Sequence, residues 1–234
     1  MSSHPPLPPA PPPLAGWVPR PLPERVMLHG QYCWLEPLDP LRHADDLFTA
    51  SMSDWAEVRH RYLFDSPMDR ASFQGWMEAK AAREDPLFFA VMDAQTRRAE
   101  GRQALMRVDA NNGVIEIGNI LWGSTISRQR AATEALFLMA RYVFDTLRYR
   151  RFEWKCDNRN MPSKRAAERF GFTFEGIFRQ HMVVKGENRD TAWFAMLDRD
   201  WPRLKAGYET WLIPSNFDEY GQQRQKLSAF LAGK

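Results

Sequence analysis

The chain has 234 residues, enough for one domain with a sizeable core, and its 44% hydrophobic and 26% charged content is that of a globular protein. A net charge of +3 is mild, with basic and acidic residues interleaved, so no nucleic-acid partner is implied. No stretch approaches the ~18 apolar residues of a membrane span, and no secretory leader is legible. Cys33 and Cys156 lack metal-site or redox spacing, which predicts buried apolar cysteines, no bound metal and a cytoplasmic setting.

More than half of the 17 prolines fall in residues 5 to 23, a segment suited to polyproline II and expected to be a disordered or loosely packed leader. Docking to a Pro-rich recognition domain is its other use. Tyr32-Cys33-Trp34-Leu35-Glu36 reads as a first strand, and Asp39-Pro40 opens a helix through His43, Leu47 and Phe48. Residues 54 to 69 read as an aromatic, irregular segment, after which Asp69 caps a helix through Phe73 and Met77. Residues 86 to 93, 101 to 109 and 114 to 122 form an antiparallel meander, turned at Asn111-Asn112-Gly113.

Gly118, inside the last of these strands, predicts a bulge or a close backbone approach. Ser127 is the predicted N-cap of a long amphipathic helix whose apolar face carries Leu136, Met139, Val143, Phe144 and Leu147. Such a helix start, flanked by Arg128 and Arg130, favours an anion. Glu134, in its first turn, suits the helix dipole and the sheet contact. Residues 151 to 157 read as a strand parallel to its neighbour across the helical crossover. Pro162 and Ser163 start a short helix ending at Gly171, followed by a hairpin turned at Gly186-Glu187-Asn188. Beyond Asp198 comes a helix through Leu204, Tyr208 and Trp211, then a polar helical tail from Glu219. Its aromatic residues either cover the core or form a homodimer contact.

The order strand, Arg/Gln-rich turn, Thr133-Glu134-Ala135, then Asn160-Met161-Pro162-Ser163 and Phe170-Gly171-Phe172 resembles the GCN5-related N-acetyltransferases (the GNAT superfamily). The resemblance is strongest to the branch of ribosomal-protein N-terminal acetyltransferases and covers roughly residues 32 to 200. It implies an α/β (α+β) fold with a mixed, mostly antiparallel sheet of six to seven strands and helices on both faces. A V-shaped splay is implied between the fourth and fifth strands. The domain is then residues 24 to 200, with a C-terminal helical extension over 201 to 234.

The same resemblance implies acetyl-CoA as cofactor and a small-molecule or peptide amine as acceptor. The cofactor contacts it implies are the backbone of Asn119, Ile120 and Leu121, the turn and helix start at Ser127, Arg128, Gln129, Arg130, Ala131, Ala132 and Thr133, and Asn160 with Ser163. It places Trp55, Tyr62 and Phe64 on the acceptor wall, where core packing is an equal alternative. Two positions depart from the family pattern: Arg130 stands at the usual first glycine, and Ala167 replaces a common tyrosine. Arg130 costs nothing if its φ is negative.

Three side chains are candidates for proton movement. Ser163 could protonate the departing thiolate or only cap its helix. Glu116 could take the amine proton or pair with a neighbouring cation at the solvent side. His181 could be the base if it faces the gap, or a hydrogen-bonded structural histidine. An N-acetyltransferase acting by direct attack in a ternary complex is the expected function. A non-catalytic acyl-CoA sensing module and a partner-docking protein are the alternatives.

Overall fold

A computed structural model describes residues 14–52 and 56–231. One eight-stranded sheet runs through the chain in the order β1-β2-β3-β4-β5-β6-β8-β7. Its strands are β1 (Leu28–His29), β2 (Cys33–Pro37), β3 (Leu87–Asp93), β4 (Ala99–Asp109), β5 (Val114–Trp122), β6 (Arg151–Asp157), β7 (Thr173–Val184) and β8 (Glu187–Leu197). The expected six to seven strands are all present, and the added one is the two-residue β1, paired with β2. Every neighbouring pair is antiparallel except β5 with β6, which the helical crossover makes parallel.

Helices α1 (Pro40–Met52), α2 (Ala56–His60) and α3 (Arg70–Ala81) precede β3. The side chains of Leu47 in α1 and of Phe73 and Met77 in α3 bury against Phe88, Ala90 and Ala104 of the sheet. Asp69 caps α3 by accepting from the amide of Ser72 at 2.8 Å. The segment expected to be irregular throughout contains α2, a single helical turn. On the opposite face lies α4 (Arg130–Arg141), which continues through a π turn over Tyr142–Thr146. All ten residues from Ala131 to Ala140 are buried, because α4 is covered on its outer side as well.

That cover is α6 (Trp201–Trp211), whose Trp201, Leu204, Tyr208 and Trp211 join the main core. Phe137 stacks on Tyr208 at 5.3 Å and Phe144 on Trp201 at 5.1 Å. Trp201, Tyr208, Trp211 and Phe217 are therefore used inside the fold, whereas Tyr220 is exposed. The helical tail expected from Glu219 is instead irregular up to the short α7 (Leu227–Leu231), which packs beside Gly207 of α6.

Two helix starts differ from the sequence expectation. Ser127 is not the cap of α4: its amide bonds to the carbonyl of Gly123, Arg128 has φ of +64°, and the N-cap is Gln129, with no side-chain cap. Helix α5 (Met161–Arg169) is capped by Asn160, whose side chain accepts from the Ser163 amide at 3.1 Å, so Ser163 is not the cap either. Gly171 has φ of +87°, the left-handed conformation expected at that helix end.

Candidate active site

The parallel pairing of β5 with β6 begins at Val114 with Arg151 and ends at Ile117 with Trp154. Beyond that point each strand keeps its other neighbour. β5 stays with β4 as far as Trp122, and β6 stays with β8 as far as Asp157. Asn119, Ile120 and Leu121 thus lie on a strand edge that has parted from Lys155, Cys156 and Asp157. A register shift between Arg102 and Ala104 marks a bulge in β5, where Asn119 adopts φ of +52°. Gly118 permits a close approach, but the atom that approaches it is the sulfur of Met106.

One face of the opening is formed by α4 and α5. Ala131, Ala132 and Thr133 are buried in the first turn of α4, and Thr133 accepts from Arg169 of α5 at 3.1 Å. Arg130 is the first residue of α4 and has no positive φ, so it fits the helical backbone where glycine is usual. Its guanidinium lies 4.2 Å from the Tyr32 ring and 5.2 Å from the Phe217 ring, beside an open cleft of about 670 Å³ that Glu219, Tyr220 and Gly221 also line. The indole of Trp154 donates to the Ser163 hydroxyl at 2.9 Å, which leaves the hydroxyl proton of Ser163 for another acceptor. Burial raises the pKa of the neighbouring Cys156 thiol, and hydrogen bonding to Ser163 opposes it. Ala167 is fully buried in the core.

The other face carries charge. Arg107 holds both carboxylate oxygens of Glu116, at 2.8 and 2.7 Å, and Lys155 reaches the same carboxylate at 2.9 Å. Lys155 also pairs with Glu153 at 2.6 Å, and Arg151 joins Glu153 to Glu175. Glu116 is buried, not at the solvent side, and its partners are the cations the sequence left unnamed. His181 bonds through Nδ1 to the Thr191 hydroxyl at 2.9 Å. Burial lowers its pKa, and the charges of Arg107, Arg189 and Lys155 lower it further, opposed by Glu116.

The loop after α2 closes over this face. Lys185, at the tip of the β7–β8 hairpin, donates to the carbonyls of His60 and Asp65 at 2.9 and 3.1 Å, and the Tyr62 hydroxyl reaches the carbonyl of Arg159 at 3.3 Å. Phe64 is half exposed, 5.4 Å from the Arg189 guanidinium. Trp55 lies outside the described residues. Arg102, beneath the loop, is fully buried, 4.2 Å from the Trp76 ring and 3.6 Å from the Asp65 carboxylate. Burial brings its pKa down to about 10. Arg102, Arg107, Lys155 and Arg189 were not singled out from sequence. The alternation Arg151, Glu153, Lys155 along one strand is the signal for the charged face, since residues two apart share a side of the sheet.

The model of the acetyltransferase (GNAT) domain matches residues 34–173, which contain both parted strands, the start of α4 and all of α5. The chain belongs to the acetyltransferase (GNAT) domain family. This is an acetyl-CoA-dependent acetyltransferase domain. A GCN5-related N-acetyltransferase from Brucella melitensis is 58% identical and superposes with a TM-score of 0.92, over 93% of this chain and 99% of that one. An uncharacterized N-acetyltransferase, p20, from Bacillus licheniformis is 29% identical over 117 residues, which is 48% of this chain and 63% of that protein. The chain therefore aligns with less than two thirds of that relative's length. At 19% identity, a RimL ribosomal L7/L12 α-N-protein acetyltransferase in complex with coenzyme A shares the GNAT fold with a TM-score of 0.61, over 74% of this chain and 99% of that one.

The residues present fit the coenzyme. The first turn of α4 has no side-chain cap to consume its amides, and the β5 edge from Asn119 has no β6 partner.

Proposed function

We propose that the protein transfers an acetyl group from acetyl-CoA to a primary amine by direct attack with both substrates bound. The parting of β5 from β6 after Ile117 and Trp154 carries this reading, because it frees backbone at the place where family members bind the thioester arm. When bound, acetyl-CoA supplies an acyl carbon open to attack. The amides of Arg130 to Ala132 bind the diphosphate, that of Thr133 being taken by the first helical bond to the Gln129 carbonyl, with Arg128 adding positive charge, while the Asn119–Leu121 backbone orients the arm and stabilises the carbonyl oxygen as it gains charge. Holding amine and acyl carbon together removes on the order of 7 kcal/mol or more from the barrier.

His181 is the base in this reading. Its ring is kept neutral by burial and by three neighbouring cations, and in this reading Nδ1–H donates to the Thr191 hydroxyl, which leaves Nε2 unprotonated to accept the amine proton. Glu116 holds Lys155 and Arg107 in place and is a positioning residue. Ser163, its oxygen held by the Trp154 indole, passes its hydroxyl proton to the departing thiolate. Asn160 fixes Ser163 by capping α5. Tyr62 and Phe64 line the acceptor side. The buried, unpaired cysteines agree with a reducing, cytoplasmic setting.

Calorimetry with acetyl-CoA and thiol release with an amine panel test the reading. Binding at micromolar concentration and turnover on at least one amine are expected. Binding without turnover on any amine would leave a sensing module, and no binding would remove the coenzyme from the account.

A further inference from the structure

Arg189 carries a largely buried charge that Asp157 and Glu116 offset from a distance without bonding to it. The residue is 8% exposed, and its Nε has no hydrogen-bond partner. No carboxylate among the described residues forms an ion pair with it. The candidate carboxylate, Asp157, is engaged by Arg159, which holds its two oxygens at 3.2 and 3.0 Å. Glu116 is likewise occupied, by Arg107 and Lys155. A cation withdrawn from water without a partner is costly, and such a cost is recovered when a ligand brings the missing charge.

Its position indicates which ligand. Thr191 of β8 stands opposite Asp157, the last residue of β6, so Arg189 lies two residues past the open end of the parted strands, on the face that carries Lys155 and Glu116. Phe64 of the loop over this face sits 5.4 Å from the guanidinium. His181 bonds to Thr191, which shares a side of β8 with Arg189, so the cation and the proposed base lie on one face of the sheet. One guanidinium offers a planar fork that takes a carboxylate through two hydrogen bonds, and its single positive charge balances the single negative charge of that group.

We infer that the acceptor is an amine that also carries a carboxylate, and that Arg189 selects it by pairing with that group. The inference rests on the acetyl transfer proposed above. The carboxylate belongs either to a free amino acid or to an acidic side chain at a peptide N-terminus, and both present the same charge to Arg189.

Thiol release is compared for alanine against alaninamide, and for the tripeptide amide Asp-Ala-Ala against Asn-Ala-Ala. Wild-type protein favours the acid in one pair by at least about tenfold in kcat/KM, and the pair that discriminates identifies the source. Arg189→Gln reduces that ratio to below about threefold, and Arg189→Lys, which keeps the charge without the fork, gives an intermediate ratio. Ratios below about threefold for both pairs in the wild type, or a ratio that survives Arg189→Gln, overturn the inference. Calorimetric binding of the N-acetylated forms of the same four compounds to coenzyme A-loaded protein reads the preference without turnover. Absence of acetyl transfer then sinks the reaction, while the binding ratios still decide the role of Arg189.

Discussion

At the scale of single residues, proton movement in the proposed reaction falls to Ser163 and His181, while Glu116 stays paired with Arg107 and Lys155. Ser163 accepts from a buried indole through one lone pair and keeps its proton available. Ser163→Ala should cost about 1 kcal/mol in urea unfolding, because the Trp154 N–H loses its acceptor. It should also lower kcat on the order of 10²-fold with little change in the acetyl-CoA KM. A purely structural serine would show the first effect without the second. His181 offers a pH test. Its folded pKa lies below the ordinary histidine value near ~6.5, so the unfolded chain takes up the proton first on acidification. Its contribution lowers stability as pH falls from the ordinary value to the folded one, then levels off. Arg107→Gln removes one of the cations that depress it, so the ring's NMR titration should move upward. A ring that titrates at its ordinary value in both proteins would refute this. Neither the indole partner of Ser163 nor the cations around His181 were legible from sequence, since each partner arrives from another strand.

At the scale of elements, the strands, the meander and the parallel crossover were legible because apolar runs and turn residues act locally. The caps of α4 and α5 were misread by two or three residues. Ser127 has the right chemistry for a cap, but the positive φ at Arg128 delays the helix until Gln129, a backbone effect with no residue signature. Glu134 shows the same limit. Its carboxylate accepts from the amides of Gln31, Tyr32 and Cys33 at 2.8, 2.6 and 2.8 Å, a clamp on the start of β2 from about a hundred residues away. The uncapped start of α4 predicts opposite signs for one substitution. Gln129→Asp supplies a cap and a favourable dipole interaction, so the ligand-free protein should gain about 1 kcal/mol. On the proposed binding, the same carboxylate occupies amides assigned to the diphosphate and repels it, so the Kd for acetyl-CoA should rise about tenfold or more. Calorimetry and thermal unfolding on one preparation read both. Equal or tighter coenzyme binding would show that the α4 amides are not its anchor.

At the scale of the whole molecule, the two ends of the chain contribute unequally. Near the N-terminus, the Trp17 indole donates to the carbonyl of Asn111 at 2.7 Å at an exposed rim, and the hydroxyl of the buried Tyr149 donates to the carbonyl of Pro21 at 3.1 Å. The C-terminal α6 is built into the centre. Tyr208 is fully buried, stacks on Phe137 and donates to the carbonyl of Phe170 at 2.8 Å, linking α4, α5 and α6. Its pKa is pushed far up by burial, so it stays a neutral donor. The sequence left open whether these aromatic residues faced the core or a second copy, because an apolar helix face does not reveal what covers it. The geometry makes α6 part of the support for the proposed acetyl-CoA site, since α4 is held between it and the sheet. Tyr208→Ala should therefore cost about 3–5 kcal/mol through lost packing and an abandoned carbonyl. At this chain length that corresponds to a fall in Tm of roughly 10 °C. Trp17→Ala, at the rim, should cost only about 1 kcal/mol. Both are read by thermal and urea unfolding, and removal of residues 201–231 should abolish the cooperative transition. A truncated chain that still unfolds cooperatively and binds acetyl-CoA would make α6 a dispensable appendage and the sheet with α4 the self-sufficient unit.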